Sequence, residues 1–243
     1  MGLLLLAFAE GAKADAATVL TALEASERIF VSHVPDAIEH AGWAELLVDG
    51  LTYDISGFGV NAETRIARPR HHFGYSDTDY WPDSLPDTLA ISLGPHLRNA
   101  SSHLPILRGI MEIGVALSAA LPDVIAVIWR PAELAIEPGH FQSDMARWLD
   151  GGTLPAQLLA PVNSSLDGGL QSTGLAHFTG QELRIEPELT EDRDYAMRLA
   201  SRLLGQLLLS PPVSSVEQVI GPDGNALRLE PSRNGKFVRV WRG

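Results

Sequence analysis

The chain has 243 residues, is 45% hydrophobic and 20% charged, and contains no cysteine. This composition is typical of a globular protein with a sizeable core, and the absence of thiols excludes disulfides, thiol nucleophiles and cysteine-ligated metal clusters. The net charge of -12 and the scattered lysines and arginines argue against nucleic-acid binding, which needs a basic surface.

The first predicted element is a strand at Leu3–Ala9, an apolar run with no basic segment before it. A secretory signal needs such a basic segment, and no apolar run approaches the about 20 residues of a membrane helix. We therefore expect a soluble, cytoplasmic protein without a membrane contact.

A helix and a hairpin are predicted next. Asp15 is a suitable N-cap for the helix, and Asp49-Gly50 is the signal of a type I′ turn between two strands within Glu45–Ser56. The polar segment 57–86 follows, and Thr88–Leu93 then has the composition of a strand.

The middle of the chain has the strongest apolar patterns. Pro105–Leu121 is apolar nearly all round, which predicts a buried helix, and Gly109 and Gly114 would let another backbone approach it. The β-branched run Val124–Trp129 is typical of a central strand. A short helix is predicted at His140–Leu149.

The last third predicts a hairpin, a helix and a strand meander. Two strands flank Thr179-Gly180, and a helix over Glu191–Leu209 follows with Thr190 as its cap. Asn234-Gly235 is the signal of a tight turn within a three-stranded meander at the end.

Strands and helices alternate irregularly along the chain, which predicts an α+β fold with mostly antiparallel sheets and packed helices. We expect a single unit over residues 1–243. Two β-α-β-β arrangements, around the Pro105–Leu121 and Glu191–Leu209 helices, indicate a structural duplication of two ferredoxin-like halves, about 1–130 and 131–243.

The glycine-rich segment Gly57–Ala62 matches the G-x-G-x-x-A pattern of dinucleotide-binding folds. Pro69 would end the required helix within two turns, so the pattern favours a loop. Neither a phosphate-binding P-loop nor a G-x-S-x-G nucleophile turn is present. The sequence therefore predicts no cofactor.

The most unusual segment is RPRHHFGYSDTDYWPDS, which begins at Arg68. Adjacent histidines point apart on any regular element, so His71 and His72 favour a solvated polar loop, and one histidine with Asp77 or Asp79 as a metal site is the alternative. Loops of this length are uncommon without a function. We expect this loop to serve recognition rather than catalysis. Its candidate binding residues are His71, His72, Tyr75, Asp77, Asp79 and Trp81.

Two further places offer polar groups. Arg130 would clamp a carboxylate or phosphate beside a stacking Trp129, or else pair with Glu133 while Trp129 fills the core. His177 and Glu182 flank the second predicted hairpin turn, as an acid–base pair or as a cross-strand polar pair on an exposed face. At both places the second, structural interpretation is favoured, and the first remains the alternative.

The segments VIAVIWRPAE and STGLAHFTGQELRIEP, with the later helix and its three-strand tail, resemble an uncharacterised bacterial family, a domain of unknown function. The resemblance covers roughly Val124 to Gly243. Within it, Thr173, Gly174 and Glu182 resemble hairpin signature positions. The family has no known activity, so the resemblance implies a fold and leaves function open.

The acidic surface and the lack of a coherent catalytic group favour a non-enzymatic binding or protein-interaction module, for example one that neutralises a basic partner. The alternative is a hydrolase or small-ligand protein with its site near the 68–87 loop, Arg130 and His177. A third hypothesis is a homo-oligomer formed through the Pro105–Leu121 helix or an open sheet edge. The sequence does not fix the oligomeric state.

Overall fold

The computed structural model describes residues 2–58, 66–76, 84–85 and 87–243. The chain divides into two compact units, Met1–Thr153 and Leu154–Gly243. Each unit combines a mostly antiparallel sheet with helices, which confirms the α+β prediction. The ferredoxin-like halves are not confirmed.

The division after residue 153 differs from the seam that the sequence placed near residue 130. Leu134–Ile136 forms a strand that pairs with Val124–Trp129 in the first sheet. The helix Pro138–Leu149 follows that strand within the same unit. Strand pairing therefore ties the segment after residue 130 to the N-terminal part of the chain.

The first unit has a large sheet with the strand order β2-β3-β4-β8-β1-β9-β10-β6, and among its described strands only β10 and β6 pair in parallel. Two short strands, β5 and β7, pair separately. The strands are β1 (Leu4–Phe8), β2 (Ile29–His33), β3 (Trp43–Val48), β4 (Leu51–Ser56), β5 (Ile66–Ala67), β6 (His71–Phe73), β7 (Ser84–Leu85), β8 (Asp87–Leu93), β9 (Val124–Trp129) and β10 (Leu134–Ile136). The helices are α1 (Ala16–Glu24), α2 (Ile38–Ala41), α3 (Leu104–Ala120) and α4 (Pro138–Leu149).

Helix α3 is the predicted buried helix, and it packs against the middle strands of this sheet. A Cβ at Gly109 would lie 2.2 Å from the hydroxyl oxygen of Tyr53, and one at Gly114 would lie 2.5 Å from a methyl group of Leu4. The groups that approach the two glycines are thus side chains, whereas the sequence pattern had indicated a backbone. The Tyr53 hydroxyl also donates a hydrogen bond of 2.8 Å to the carbonyl of Ile106.

Alternation along the strands places every second residue on the opposite face of the sheet from Leu4 and Tyr53. At the centre this face is buried and built from small or aliphatic residues: Leu5, Ala7, Ala126, Ile128 and Ala135. Toward the β2 edge it becomes polar and partly exposed. We call the residues Ser32, Glu45, Asp54, Ser56 and Ser92 the polar face.

The second unit has a sheet with the strand order β11-β12-β13-β16-β15-β14, where β13 and β16 pair in parallel and the other described neighbours pair antiparallel. Its strands are β11 (Val162–Ser164), β12 (Leu170–Ser172), β13 (Glu182–Ile185), β14 (Glu217–Ile220), β15 (Ala226–Pro231) and β16 (Phe237–Arg242). Its helices are α5 (Ala156–Leu159), α6 (Ala176–Thr179) and α7 (Arg193–Leu207).

Helix α7 covers one face of this sheet, where Leu183 and Val240 are buried. The helix begins at Arg193, because the Asp192 side chain accepts a hydrogen bond of 3.0 Å from the backbone N–H of Tyr195. The predicted start at Glu191, with Thr190 as the cap, is therefore two residues early. No helix in the described part of the chain is long and apolar enough to span a bilayer.

Candidate functional site

The face of the second sheet that lies opposite Leu183 and Val240 carries arginines and a tryptophan. Strand alternation predicts this, because Arg184 follows Leu183 on β13 and Trp241 follows Val240 on β16. The parallel register places Arg184 directly beside Arg239. We call the residues Gln171, Arg184, Glu230, Arg233, Phe237, Arg239 and Trp241 the arginine face.

A solvent-open depression of about 670 Å³ lies over this face. The arginine face lines it together with Pro231, Ser232 and Asn234. Depressions of this size fall in the usual range of about 300–1,000 Å³ for ligand sites. Three arginines and one glutamate line it, so cationic side chains predominate among the lining residues although the whole chain is acidic.

A buried carboxylate, Glu186, holds two of these arginines in place. Its side chain is only 4% exposed, and its Oε1 lies 2.6 Å from Nε of Arg239 and 3.4 Å from Nε of Arg184. The hydrogen bond to Glu186 raises the pKa of Arg239 above its usual value, so the guanidinium stays charged. Arg184 is fixed a second time by the carboxylate of Asp167.

The outer part of Arg239 is arranged to receive an anion. Its guanidinium lies over the ring of Trp241 at 4.5 Å from the ring centre, a cation–π contact that helps to hold the group in place. Nε points to Glu186, and no described residue forms a hydrogen bond with Nη1 or Nη2. Among the described residues, the buried indole Nε1–H of Trp241 also has no acceptor.

Charge is distributed very unevenly between the two units. Residues 1–153 contain 20 acidic and 9 basic residues, whereas residues 154–243 contain 10 and 9. Eight of those nine basic residues are arginines, which offer a planar set of donors for carboxylates. The unit with the arginine face is thus nearly neutral within a strongly acidic chain.

A larger cavity of about 750 Å³ lies at the start of α7. Three of the four carboxylates that line it form hydrogen bonds within the fold, and the fourth, Glu191, is exposed. Asp192 caps α7, Asp223 accepts a hydrogen bond from the backbone of Asn225, and Glu188 accepts one from the backbone of Arg242. Because these groups already stabilise turns and a helix end, we take the arginine face as the candidate site.

The two adjacent histidines of the predicted loop lie on the edge strand β6. His71 is in register with Leu134 and His72 with Ala135, so the two rings point to opposite faces of the sheet. Partial burial lowers the pKa of both imidazoles below the usual value. No group of three metal-binding side chains is found in the part of the chain that the structure describes.

Tyr75, another candidate of the loop, packs on the small-residue cluster of the first sheet. Its hydroxyl donates to the carbonyl of Ile125 at 2.8 Å and lies 3.1 Å from that of Ile136. These contacts connect the loop to the sheet. The remaining candidates, Asp77, Asp79 and Trp81, lie outside the described residues.

Trp129 is completely buried in the first unit, in line with the interpretation that places it in the core. Arg130 begins a short 3₁₀ turn, and its backbone N–H donates to the carbonyl of Leu3. The carboxylate of Glu133, the expected partner of Arg130, lies 2.8 Å from Nε of Arg70.

Glu182 binds the backbone around the start of α6. Its carboxylate accepts hydrogen bonds from the N–H groups of Gly174, Leu175 and Ala176 and from the hydroxyl of Ser172. His177 lies on α6, where the sequence predicted a strand, and its ring meets Phe178 edge-on at 5.1 Å. These four hydrogen bonds give Glu182 a structural role, and an acid–base pair with His177 stays a prediction.

One histidine–carboxylate pair was not recognised from the sequence. Nδ1 of His140 lies 2.9 Å from Oε2 of Glu137, which also caps α4 through the backbone N–H of His140. Gly74 lies against this ring, since a Cβ there would be 2.7 Å from Nδ1. The signal was a Glu three residues before a His at a helix start.

Comparisons with known proteins add no relationship to this picture. No protein-family model, no curated protein and no solved structure matches the chain. The resemblance of residues 124–243 to an uncharacterised family therefore stays a prediction, and function has to be argued from the geometry of the sites.

Proposed function

We propose that this chain is a protein-interaction module and that the arginine face binds an acidic segment of a partner protein. The observation that carries the proposal is the pairing of Arg239 with Trp241 in a depression lined by three arginines. Arginine and tryptophan are the residues most enriched at the energetic centres of protein interfaces.

The guanidinium of Arg239 is held in a fixed position, which supports a role in binding a partner. Glu186 and Trp241 hold Arg239 before any partner arrives, so little side-chain entropy is lost on binding. An arginine fork that keeps its outer amino groups available matches a carboxylate in a two-point arrangement. Exposed Arg233 at the rim adds attraction at longer range.

An acidic partner follows from charge complementarity. A basic segment would meet three arginines in the depression, whereas a segment rich in glutamate or aspartate would meet complementary charge. This reverses the expectation drawn from net charge, in which the whole acidic chain would neutralise a basic partner. The excess of acidic residues belongs to residues 1–153.

The test is a fluorescence-anisotropy titration of the full chain against a labelled glutamate-rich peptide, with a lysine-rich peptide of equal length as the counter-probe. We expect the glutamate-rich peptide alone to bind, and we expect its affinity to fall as salt screens the charges. Arg239→Lys keeps the charge beside Glu186 but removes the fork, and Arg233→Gln removes the rim charge. Each variant should weaken binding several-fold.

The matched control is Arg202→Gln on the exposed side of α7, which removes the same charge away from the face. It should leave peptide affinity unchanged. Tighter binding of the lysine-rich peptide, or equal losses in Arg202→Gln and Arg233→Gln, would contradict the proposal.

The alternative function, a hydrolase or small-ligand protein with its site near the 68–87 loop, stays a prediction. The ring of His71 has no hydrogen bond to a carboxylate among the described residues, and Asp77 and Asp79 lie outside them. The His140–Glu137 pair lies near β6 through Phe73, whose ring meets His140 at 5.7 Å. Loss of a measured hydrolytic activity in His140→Gln would favour this alternative.

A further inference from the structure

The first unit contains a small cavity whose walls carry opposite charges. It measures about 260 Å³, opens to solvent and is lined by Leu3, Asp54, Ser92, Leu93, Arg98 and Ser101. Asp54 and Ser92 are direct cross-strand partners on β4 and β8. Arg98 comes from the 3₁₀ turn that follows β8, so the guanidinium and the carboxylate reach the cavity from different elements.

The two charges attract each other without touching. Burial raises the pKa of Asp54, the Glu45 charge raises it further, and the Arg98 charge lowers it. Asp54 and Arg98 nevertheless form no ion pair within 4.0 Å among the described residues, as Arg28 does with Asp49 at 2.9 Å. A gap therefore separates a cationic and an anionic wall.

Asp54 also has an acidic cross-strand neighbour, Glu45, which lies outside the lining of the cavity. Glu45 lies directly opposite Asp54 in the β3–β4 register, an arrangement of like charges that destabilises a sheet. Its Oε1 accepts a hydrogen bond of 2.8 Å from the hydroxyl of Ser32, which orients Glu45 but adds no positive charge. A cation between the two strands would relieve this repulsion.

We propose that this cavity binds a small zwitterion of the α-amino acid class, with its ammonium group at Asp54 and its carboxylate at Arg98. The proposal goes beyond the interaction function, since it concerns another unit and another ligand. The volume equals about nine water molecules at roughly 30 Å³ each, which is enough for a small amino acid. Ser92, which also lines the cavity, supplies a hydroxyl on the strand beside Asp54.

The test is a ligand-detected NMR titration of the full chain with glycine, L-alanine and L-serine at neutral pH. Glycinamide, which lacks the carboxylate, and N-acetylglycine, which lacks the ammonium group, serve as single-charge probes. We expect at least one zwitterion to bind at least ten-fold more tightly than both single-charge probes. Equal affinity of the zwitterions and the single-charge probes, or no binding of any, would overturn the proposal.

Two variants test the two charged side chains of the cavity separately. Asp54→Asn should abolish the preference for zwitterions over N-acetylglycine, and Arg98→Gln should abolish the preference over glycinamide. The matched control Asp36→Asn removes an exposed carboxylate elsewhere in the same unit and should preserve both preferences. Circular dichroism of each variant shows whether it is folded, and unchanged preferences in both folded cavity variants would overturn the proposal.

Discussion

Both sheets place two like charges directly opposite each other, and they compensate for it differently. On the arginine face, Arg184 lies beside Arg239, and the buried carboxylate of Glu186 contacts both. On the polar face, Glu45 lies beside Asp54, and no described cation is within ion-pair distance of either.

The difference shows what each face is suited to do. An internal counter-ion fixes the arginines, so that the face is preorganised and its outer donors are directed at a partner. An acidic pair without such a counter-ion is left with the raised pKa of Asp54 and with an attraction for a cation from outside. The first arrangement suits a macromolecular surface, and the second suits a small ligand.

The largest effect is expected from removing the internal counter-ion. Glu186→Gln leaves two arginines beside each other without their shared carboxylate, and we expect a loss of about 3 kcal/mol in the free energy of unfolding. Urea denaturation measures it. Glu191→Gln at an exposed position is the control, and equal stability of the two variants would show that Glu186 does not hold the arginines.

A smaller effect is expected from Tyr53, the inward-facing neighbour of Asp54. Burial raises the pKa of Tyr53 to about 12 from an ordinary value of 10, so the fold favours its neutral form. The neutral hydroxyl contributes roughly 2 kcal/mol to the free energy of unfolding. This contribution is complete below pH 10 and is lost as the pH rises through about 12. Alkaline urea titrations of wild type and Tyr53→Phe measure it, and parallel curves for the two proteins would exclude a role for this hydroxyl.

Removal of a carboxylate charge should raise the free energy of unfolding on the polar face, whereas it should lower it on the arginine face. Asp54→Asn removes a like-charge pair, so we expect it to stabilise the chain by about 0.5 kcal/mol at neutral pH. Because the pKa of Asp54 is raised, wild type recovers this stability as the pH falls toward 3.8, and the difference between the two proteins should shrink. If the difference in the free energy of unfolding between Asp54→Asn and wild type grows on acidification, the fold favours the charged form of Asp54, which would contradict this expectation.

The smallest effect on stability is expected at the rim. Arg233 is exposed, so Arg233→Gln should change the free energy of unfolding by less than about 0.5 kcal/mol. The same variant should weaken binding of the glutamate-rich peptide. A large loss of stability would show that Arg233 supports the fold and that its binding defect is indirect.

Local patterns in the sequence predicted much of the fold. The type I′ signal at Asp49-Gly50 joins β3 and β4 as expected, and the apolar run that became α3 is buried. Both depend on neighbouring residues. The short helix α6 was missed, since its conformation depends on the contact of Glu182 with backbone groups six to eight residues earlier.

The arginine face was not predicted because its parts are distant in the chain. Glu186 and Arg239 are separated by 53 residues, and a parallel pairing of β13 and β16 brings their strands together. The single arginines of ELRIEP and FVRVW, each between apolar residues, carried a partial signal, since alternation assigns each to the face opposite its apolar neighbours. The sequence does not state which two strands are neighbours.

The indole N–H resonance of Trp241 offers the most direct test of binding at the arginine face. The chain has five tryptophans, and Trp241→Phe identifies the resonance of interest in an ¹H–¹⁵N spectrum. We expect this resonance to shift in a saturable manner as the glutamate-rich peptide is added, while that of the buried Trp129 stays in place. Saturable peptide binding that leaves the Trp241 resonance unmoved would contradict the assignment of this face as the binding surface.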